Sequence, residues 1–127
     1  MESTGLLRVR VYTSSAQLPL EGATVAVTAR GAGGKRRLLS VQVTDSSGAI
    51  RPVAIETPEA WESESPRKAG AETPYGLCSV WAEAPGYAML QVDGVQIFPG
   101  VETEQDMVLL PLARGESSLD NRSVREI

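Results

Sequence analysis

The sequence predicts an all-β protein, a seven-stranded β-sandwich with Greek-key connections, and three observations support this fold class. Apolar and polar residues alternate along short runs, no stretch keeps the 3.6-residue period of a helix, and Gly, Pro, Ser or Asp separates the runs. The chain has 127 residues with 12 Gly and 8 Pro, which suits one domain rich in turns. We therefore expect two sheets packed around one core.

Four predicted strands lie in the first half of the chain. A basic, glycine-rich segment at residues 30–37 has the flexibility of a hairpin tip between the second and third strands. Pro52 in the fourth strand has no backbone N–H to donate, so this strand is expected at a sheet edge. The four strands are predicted at residues 6–12, 23–28, 39–43 and 50–55.

The second half holds three further strands after a long interruption. Residues 56–74 contain three prolines, five glutamates and Trp61, which indicates a long surface loop. From residue 113 the chain is polar and without period, so we assign residues 1–112 to the sandwich domain and 113–127 to a disordered C-terminal tail. The strands are predicted at residues 77–84, 88–92 and 103–110, with a further short apolar piece at 95–98.

Each predicted strand places its apolar residues on one face, and these faces define the expected core. Because side chains alternate along a strand, an error of one residue in register would move a whole set to solvent. The expected core is Leu7, Val9, Val11, Val25, Val27, Leu39, Val41, Val43, Val80 and Leu109, with Cys78 and Ala82 beside Val80.

Five short motifs occur in an order that indicates a known family. They are the segments LPLEGATVAV at 18–27, VTDSSG at 43–48, APGY at 84–87, FPGV at 98–101 and LLPL at 109–112. Over about residues 5–112 they resemble the carboxypeptidase regulatory-like domains of the transthyretin-like group, in the version found in spore-forming clostridial bacteria. The resemblance implies a prealbumin-like sandwich that serves as a non-catalytic accessory, adhesion or structural module.

The residue inventory argues against catalysis. The sequence contains no His, which removes the usual Ser/His/Asp and Cys/His nucleophile pairs. The hydroxyisourate hydrolases of the same fold group rely on histidines and on a C-terminal Tyr-Arg-Gly-Ser motif that this chain lacks. Glu62 with Glu64, and Glu102 with Glu104, are candidate carboxylate pairs, but they are expected on open, solvated surfaces. We expect a protein that is not an enzyme and has no cofactor, with a hydrolase as the alternative.

Asp45, Asp93 and Cys78 are interpreted as structural residues. The two aspartates lack the alternating oxygen ligands of a calcium loop, so we expect turns there and no metal site. Cys78, the one cysteine, is expected to pack in the core from the fifth strand.

Charge is divided unevenly along the chain, and its net value is −4. Residues 1–55 carry seven Lys or Arg against three Asp or Glu, whereas residues 56–127 carry five against thirteen. The acidic balance disfavours nucleic acid as a ligand, and no apolar run is long enough for a membrane span. A bipolar surface favours a protein partner or self-association.

The candidate interaction site combines two tryptophans with charged residues. Indole groups supply large contact areas at protein interfaces and stack on sugars, so protein and carbohydrate ligands both stay open. The acidic loop would favour a basic partner, such as the 30–37 hairpin of another copy. The candidate residues are Trp61, Trp81, Glu59, Glu62, Glu64, Arg36 and Arg37.

The expected function is that of a non-catalytic binding or structural module, associated with a bacterial envelope, a spore or adhesion. A carbohydrate- or peptidoglycan-binding accessory domain is the alternative. The N-terminus does not resemble a signal peptide, so we expect a cytoplasmic protein or export by a non-Sec route. The envelope or spore association follows from the family resemblance alone.

Overall fold

The computed structural model describes residues 3–14, 17–30, 36–57, 76–112 and 123–126, which form eight strands and no helix. The all-β prediction is therefore confirmed for the described residues. No helix able to cross a membrane occurs in this part of the chain. The strands are β1 (Ser3–Thr13), β2 (Thr24–Arg30), β3 (Arg36–Val43), β4 (Val53–Thr57), β5 (Gly76–Glu83), β6 (Leu90–Ile97), β7 (Glu102–Leu109) and β8 (Ser123–Glu126).

The strands form two sheets, one of three strands in the order β4-β1-β7 and one of five in the order β3-β2-β5-β6-β8. The pairs β1–β7 and β6–β8 are parallel, and the other pairs are antiparallel. β4 lies at a sheet edge directly after Pro52, as the sequence predicts. The Greek-key description of the connections stays a prediction.

One hydrophobic cluster takes residues from both sheets, so the two sheets form a sandwich. Its fully buried members include three residues outside the predicted core, Ile55, Ile97 and Met107. The predicted core residues that are 0 or 1% exposed are Leu7, Val9, Val11, Val25, Val27, Val80 and Leu109.

Val41 and Val43 of β3 lie on the outer surface, so their prediction as core residues is wrong. They are 56% and 65% exposed. Val41 pairs with Ala26 across the β2–β3 ladder, and paired residues share one face of a sheet. Since Ala26 alternates with the fully buried Val25 and Val27, β3 turns its valines to solvent.

Polar residues occupy the inner side of the chain at the end of β3, where they make hydrogen bonds to backbone groups. The Thr44 hydroxyl accepts a hydrogen bond from the Ala23 N–H at 2.9 Å and donates to the Leu20 carbonyl at 2.6 Å. The Gln42 side chain donates to the Arg51 carbonyl at 3.0 Å and accepts from the Arg51 N–H at 2.9 Å. These four bonds satisfy polar groups at the margin of the core, and they explain why the register differs by one residue from the predicted one.

The apolar segments predicted separately at 88–92 and 95–98 contribute to one strand, β6. The β5–β6 register shifts between Cys78 and Val80, so that Asp93 and Gly94 stand opposite the single residue Ser79. Gly94 has a φ of 75°, the left-handed conformation that glycine adopts in such a bulge. The Asp93-Gly94 pair therefore bends the strand instead of ending it.

Four residues of the predicted tail belong to a sheet. Ser123–Glu126 forms β8, which runs parallel to residues 90–93 of β6. The expected disorder therefore does not extend to these four residues. Strands pair through their backbone N–H and C=O groups, so the polar composition of this segment does not show that it can pair with β6. The domain boundary at residue 112 stays a prediction.

Candidate functional site

Trp81 lies on the outer side of the five-stranded sheet. In β5 it alternates with Val80 and Ala82, which are fully buried in the core. Its neighbours across the two ladders are Ala26 of β2 and Gln91 of β6. The partly exposed indole thus stands between a small side chain and an amide, on the side of β5 that the sequence alternation indicates.

A shallow depression of about 310 Å³ lies beside Trp81. Hydroxyl, amide and guanidinium groups line the depression together with the indole, so a rim of polar groups surrounds the aromatic ring. Its volume is at the lower end of the range for small-ligand sites. We call this surface the Trp81 face; it is lined by Ala26, Thr28, Arg36, Ser79, Trp81 and Gln91.

Side-chain contacts orient the groups of the Trp81 face. The Trp81 indole N–H donates to Met89 Sδ at 3.0 Å, so an incoming ligand meets the ring and not a free N–H. Arg36 Nη1 lies 3.9 Å from Asp93 Oδ1, and the Gln91 side chain donates to the same oxygen at 2.9 Å. These contacts cross the sheet from β3 to β6 and position the polar rim.

Next to the Trp81 face, β3 exposes three aliphatic side chains, Leu38, Val41 and Val43, which we call the β3 stripe. Their exposed fractions are 60%, 56% and 65%. Single exposed apolar residues are ordinary at a protein surface. Three of them on one side of one edge strand, beside an indole, make a surface suited to a partner.

The structure brings together two of the seven candidate residues. Trp81 and Arg36 both line the Trp81 face. Arg37 instead approaches the other sheet, where its Nη2 lies 3.9 Å from Oε2 of Glu56 in β4. The remaining candidates lie outside the described residues: Trp61, Glu59, Glu62 and Glu64.

The β3 stripe was missed because its alternation was assigned to the core. The sequence around it, LLSVQVT at 38–44, repeats its polar residues with the same period of two as its valines. The sequence is therefore equally consistent with the opposite register, in which the inner side is formed by Ser40, Gln42 and Thr44. Their capacity for hydrogen bonding was the signal that they, and not the valines, face inward near the end of the strand.

The outer side of the three-stranded sheet is charged. Arg8 Nη1 lies 2.9 Å from Glu102 Oε1, and Arg10 Nε lies 3.9 Å from Glu104 Oε1. A hydrogen bond with Tyr12 raises the pKa of Arg10, and the charge of Glu104 raises it further. Glu102 and Glu104, one of the candidate carboxylate pairs, thus each face an arginine on an open surface.

Cys78 is buried on the opposite side of β5 from Trp81, and its predicted packing in the core is confirmed. The residue is 3% exposed, and burial raises the pKa of its thiol to about 12. The thiol is therefore protonated near neutral pH and is a poor nucleophile.

Asp45 closes a turn, as its interpretation from sequence predicts. Its Oδ1 accepts hydrogen bonds from the N–H groups of Ser47 at 2.8 Å and Ala49 at 3.1 Å. Within the described ranges, no three His, Cys, Asp or Glu side chains cluster in a way that would hold a metal ion.

Comparison with known proteins shows the fold. No protein-family model matches the chain, and no curated protein sequence matches it significantly. Among solved structures, it is similar to catechol 1,2-dioxygenase of Acinetobacter radioresistens, with a TM-score of 0.54 and 15% identity over 96% of this chain and 58% of that one. The chain thus spans little more than half the length of the dioxygenase.

Two other solved structures are similar over most of this chain. The 5-hydroxyisourate hydrolase of Klebsiella pneumoniae has a TM-score of 0.52 and 19% identity, over 86% of this chain and 92% of that one. The TIE protein of Bacillus anthracis has a TM-score of 0.50 and 16% identity, over 87% of this chain and 17% of that one. At such identities the likeness concerns the fold alone: this chain is a transthyretin-like β-sandwich.

Proposed function

We propose that the protein is a non-catalytic binding module that contacts a protein partner through the Trp81 face and the adjoining β3 stripe. One observation carries the proposal: a partly exposed indole and three aliphatic side chains that are more than half exposed share one side of one sheet. Covering such a surface removes apolar area from water, and tryptophan is enriched among the residues that dominate binding energy.

Two features support a non-catalytic role. The sequence has no His to serve as a general base near neutral pH. The one thiol is buried, and its pKa is raised to about 12. A screen against ester, amide and glycoside substrates is expected to show no turnover. Turnover that a single carboxylate substitution abolished would overturn this part of the proposal.

We further propose that the module is of the carboxypeptidase regulatory-like type and works in a bacterial envelope, spore or adhesion protein. The motif order described above supports this assignment. The fold is also consistent with it, because the region of the TIE protein that resembles this chain is 17% of a longer polypeptide. Within such a protein the sandwich would supply an interaction surface and not a reaction.

The binding role can be tested with peptides selected on the immobilised wild-type protein. Trp81→Ala should weaken their binding by about 30-fold, because a central indole contributes about 2 kcal/mol or more to binding. Val108→Lys changes a residue on the outer side of β7 in the other sheet that is 41% exposed, and it should leave binding unchanged. Equal peptide affinity of Trp81→Ala and the wild type would contradict the proposed surface.

A carbohydrate ligand is the second candidate, and the polar rim of the Trp81 face favours it. Thr28, Ser79 and Gln91 place two hydroxyls and an amide around the indole, the arrangement that suits a sugar ring stacked on an aromatic plane. Peptidoglycan fragments added to a Trp61→Phe variant should change the fluorescence of Trp81, the remaining tryptophan. Unchanged fluorescence at saturating fragment concentration would exclude this ligand class at the Trp81 face.

A further inference from the structure

We propose that two copies of the chain associate through β3, with the β3 strands paired antiparallel about a twofold axis to make one continuous sheet. The two β3 stripes would then lie side by side on one side of the joined sheet. The inference goes beyond the proposed binding role, which concerns a different partner, and assigns a second copy of the chain to the edge of β3.

The two edges of the five-stranded sheet are formed by β8 and β3, and β3 is the better candidate for pairing with a second copy. At one edge β8 pairs with β6, whereas β3 pairs on one side with β2 and, among the described strands, with none on the other. An unpaired edge presents backbone N–H and C=O groups to any compatible strand. β3 has eight residues and contains neither Pro nor Gly, so every residue keeps a backbone N–H, and the regular ladder is interrupted at Leu39.

Two copies of β3 are complementary to each other when they pair antiparallel with Val41 at the centre. An antiparallel pair centred there places Val41 opposite Val41 of the second copy. In the β2–β3 ladder Val27 pairs with Ser40 and Thr28 with Leu38, so Leu39 is the extra residue of a bulge. Leu38 therefore follows Ser40 in the ladder. Val43 of one copy then stands opposite Leu38 of the other. The apolar side chains of both stripes therefore meet on one side of the joined sheet, where opposite residues are in contact.

Charges at the two ends of β3 favour the same arrangement. Arg36 begins the strand, and Asp45 lies two residues beyond its end. In the register centred on Val41, Arg36 of each copy lies opposite Asp45 of the other. The Arg36 side chain is 52% exposed, and its contact with Asp93 is 3.9 Å long, so it can reach a second carboxylate. A parallel pair would place like charges side by side, which disfavours it.

The dimer would join the two Trp81 faces into one surface. The joined sheet would have ten strands, five from each copy, with both indoles on the same side. Since two linked sites bind a repetitive partner more tightly than one, self-association would strengthen the proposed binding role. An edge-to-edge contact is smaller than the interface of an obligate dimer, so the dimer should be concentration-dependent.

Sedimentation equilibrium over a range of protein concentrations tests the dimer. Wild-type protein should show a monomer–dimer equilibrium. Val41→Lys puts two ammonium groups together on the twofold axis and should weaken dimerisation by roughly tenfold or more. Val108→Lys introduces the same charge on the other sheet and should dimerise as the wild type does. A wild-type protein that stays monomeric at millimolar concentration would overturn the inference.

Cysteine crosslinking tests the register. Under mild oxidation, Val41→Cys should form a disulfide-linked dimer because its partner cysteine lies directly across the axis. Val43→Cys should not form one, because position 43 of one copy lies about 13 Å along the strand direction from position 43 of the other. A mixture of Leu38→Cys and Val43→Cys proteins should crosslink with each other. The native Cys78 is buried, so it does not compete. Disulfide formation by Val43→Cys in preference to Val41→Cys would refute this pairing.

The dimer and the binding role can fail separately. If the wild type is monomeric but Trp81→Ala loses the selected peptides, the dimer is disproved and the binding role stands. If the wild type dimerises as described but Trp81→Ala binds the peptides normally, the Trp81 face is not the binding surface, although β3 is still the dimer contact.

Discussion

The outer sides of the two sheets cover the same core with opposite chemistry. On the three-stranded sheet, Arg8 and Arg10 face Glu102 and Glu104, at 2.9 and 3.9 Å. On the five-stranded sheet, Trp81 and the β3 stripe present apolar surface. The charged side chains are about half exposed but form ion pairs within the chain, whereas the β3 stripe exposes aliphatic surface to water. This difference is the reason that we place binding on the five-stranded sheet.

The largest loss of stability is expected for a residue that faces the core, which both sheets share. Met107→Ala should lower the free energy of unfolding by about 2–5 kcal/mol, because Met107 is 0% exposed and its loss leaves a cavity. Val41→Ala should change it by no more than about 0.5 kcal/mol, measured by urea denaturation on monomeric protein. Equal costs for the two variants would place Val41 in the core and remove the contrast between the outer sides.

Substitutions on the inner and outer sides at the end of β3 should differ in their cost to the free energy of unfolding. Thr44→Val leaves the Ala23 N–H and the Leu20 carbonyl without their hydrogen-bond partner, which should cost about 1–3 kcal/mol of unfolding free energy. The neighbouring Val43→Thr change is on the exposed side and should stay within about 0.5 kcal/mol. A stabilising Thr44→Val would show that the polar inner side of β3 is not what holds its register.

The two sides of β5 should differ in the chemistry of a thiol. Burial raises the pKa of Cys78 from an ordinary value of 9.0 to about 12, so the folded state holds this proton more tightly than the unfolded chain. The thiol's contribution to stability is complete below pH 9 and is lost as the pH rises towards 12, by up to about 1.4 kcal/mol per pH unit. Cys78→Ala should remove this part of the alkaline loss, as denaturation curves at several pH values will show.

Thiol labelling supplies the matched control. Ser79→Cys places a thiol on the Trp81 face, one residue from Cys78 and on the other side of the strand. A Ser79→Cys, Cys78→Ala protein should react rapidly with a thiol reagent at neutral pH, whereas the native Cys78 should react only after unfolding. Rapid reaction of Cys78 in native protein would mean that this side of β5 is open to solvent.

The smallest effect is expected on the charged side. Glu102→Gln removes a partner of Arg8 where both side chains are about half exposed, so the unfolding free energy should fall by no more than about 1 kcal/mol. The difference should shrink in high salt because ions screen exposed charges. Binding of the selected peptides should not change. A loss of peptide affinity in this variant would mean that the charged side also takes part in binding.

Local rules predicted the turns and most of the strands. Ala84-Pro-Gly-Tyr87 forms a turn in which the Tyr87 N–H donates to the Ala84 carbonyl at 3.1 Å, and Gly86 has a φ of 83°. This φ is that of the second central residue of a type II turn, a position that glycine occupies without strain. The burial of Val9, Val25 and Val80 followed from alternation in the same direct way.

Two of the six residues that line the Trp81 face, Trp81 and Arg36, were candidates from sequence. The alternation of β5 placed Trp81 on the side away from Val80, and the structure sets Arg36 beside it. Gln91 could not be chosen in advance, because it reaches Trp81 through the pairing of β5 with β6. The register of that pair depends on the bulge at Asp93 and Gly94, a dipeptide that by local pattern predicts the end of a strand.

The sequence by itself determined the all-β class, turns such as those at Asp45 and Ala84–Tyr87, and the inner faces of strands with one apolar and one polar face. In β1 and β5 that contrast is strong, since a reversed register would bury charged or bulky polar groups. The tertiary structure decided the orientation of β3, the bulge in β6 and the pairing of β8. The deciding partners lie far apart in the sequence, as Thr44 does from Leu20 and Ala23, and β8 from β6, and no local pattern contains them.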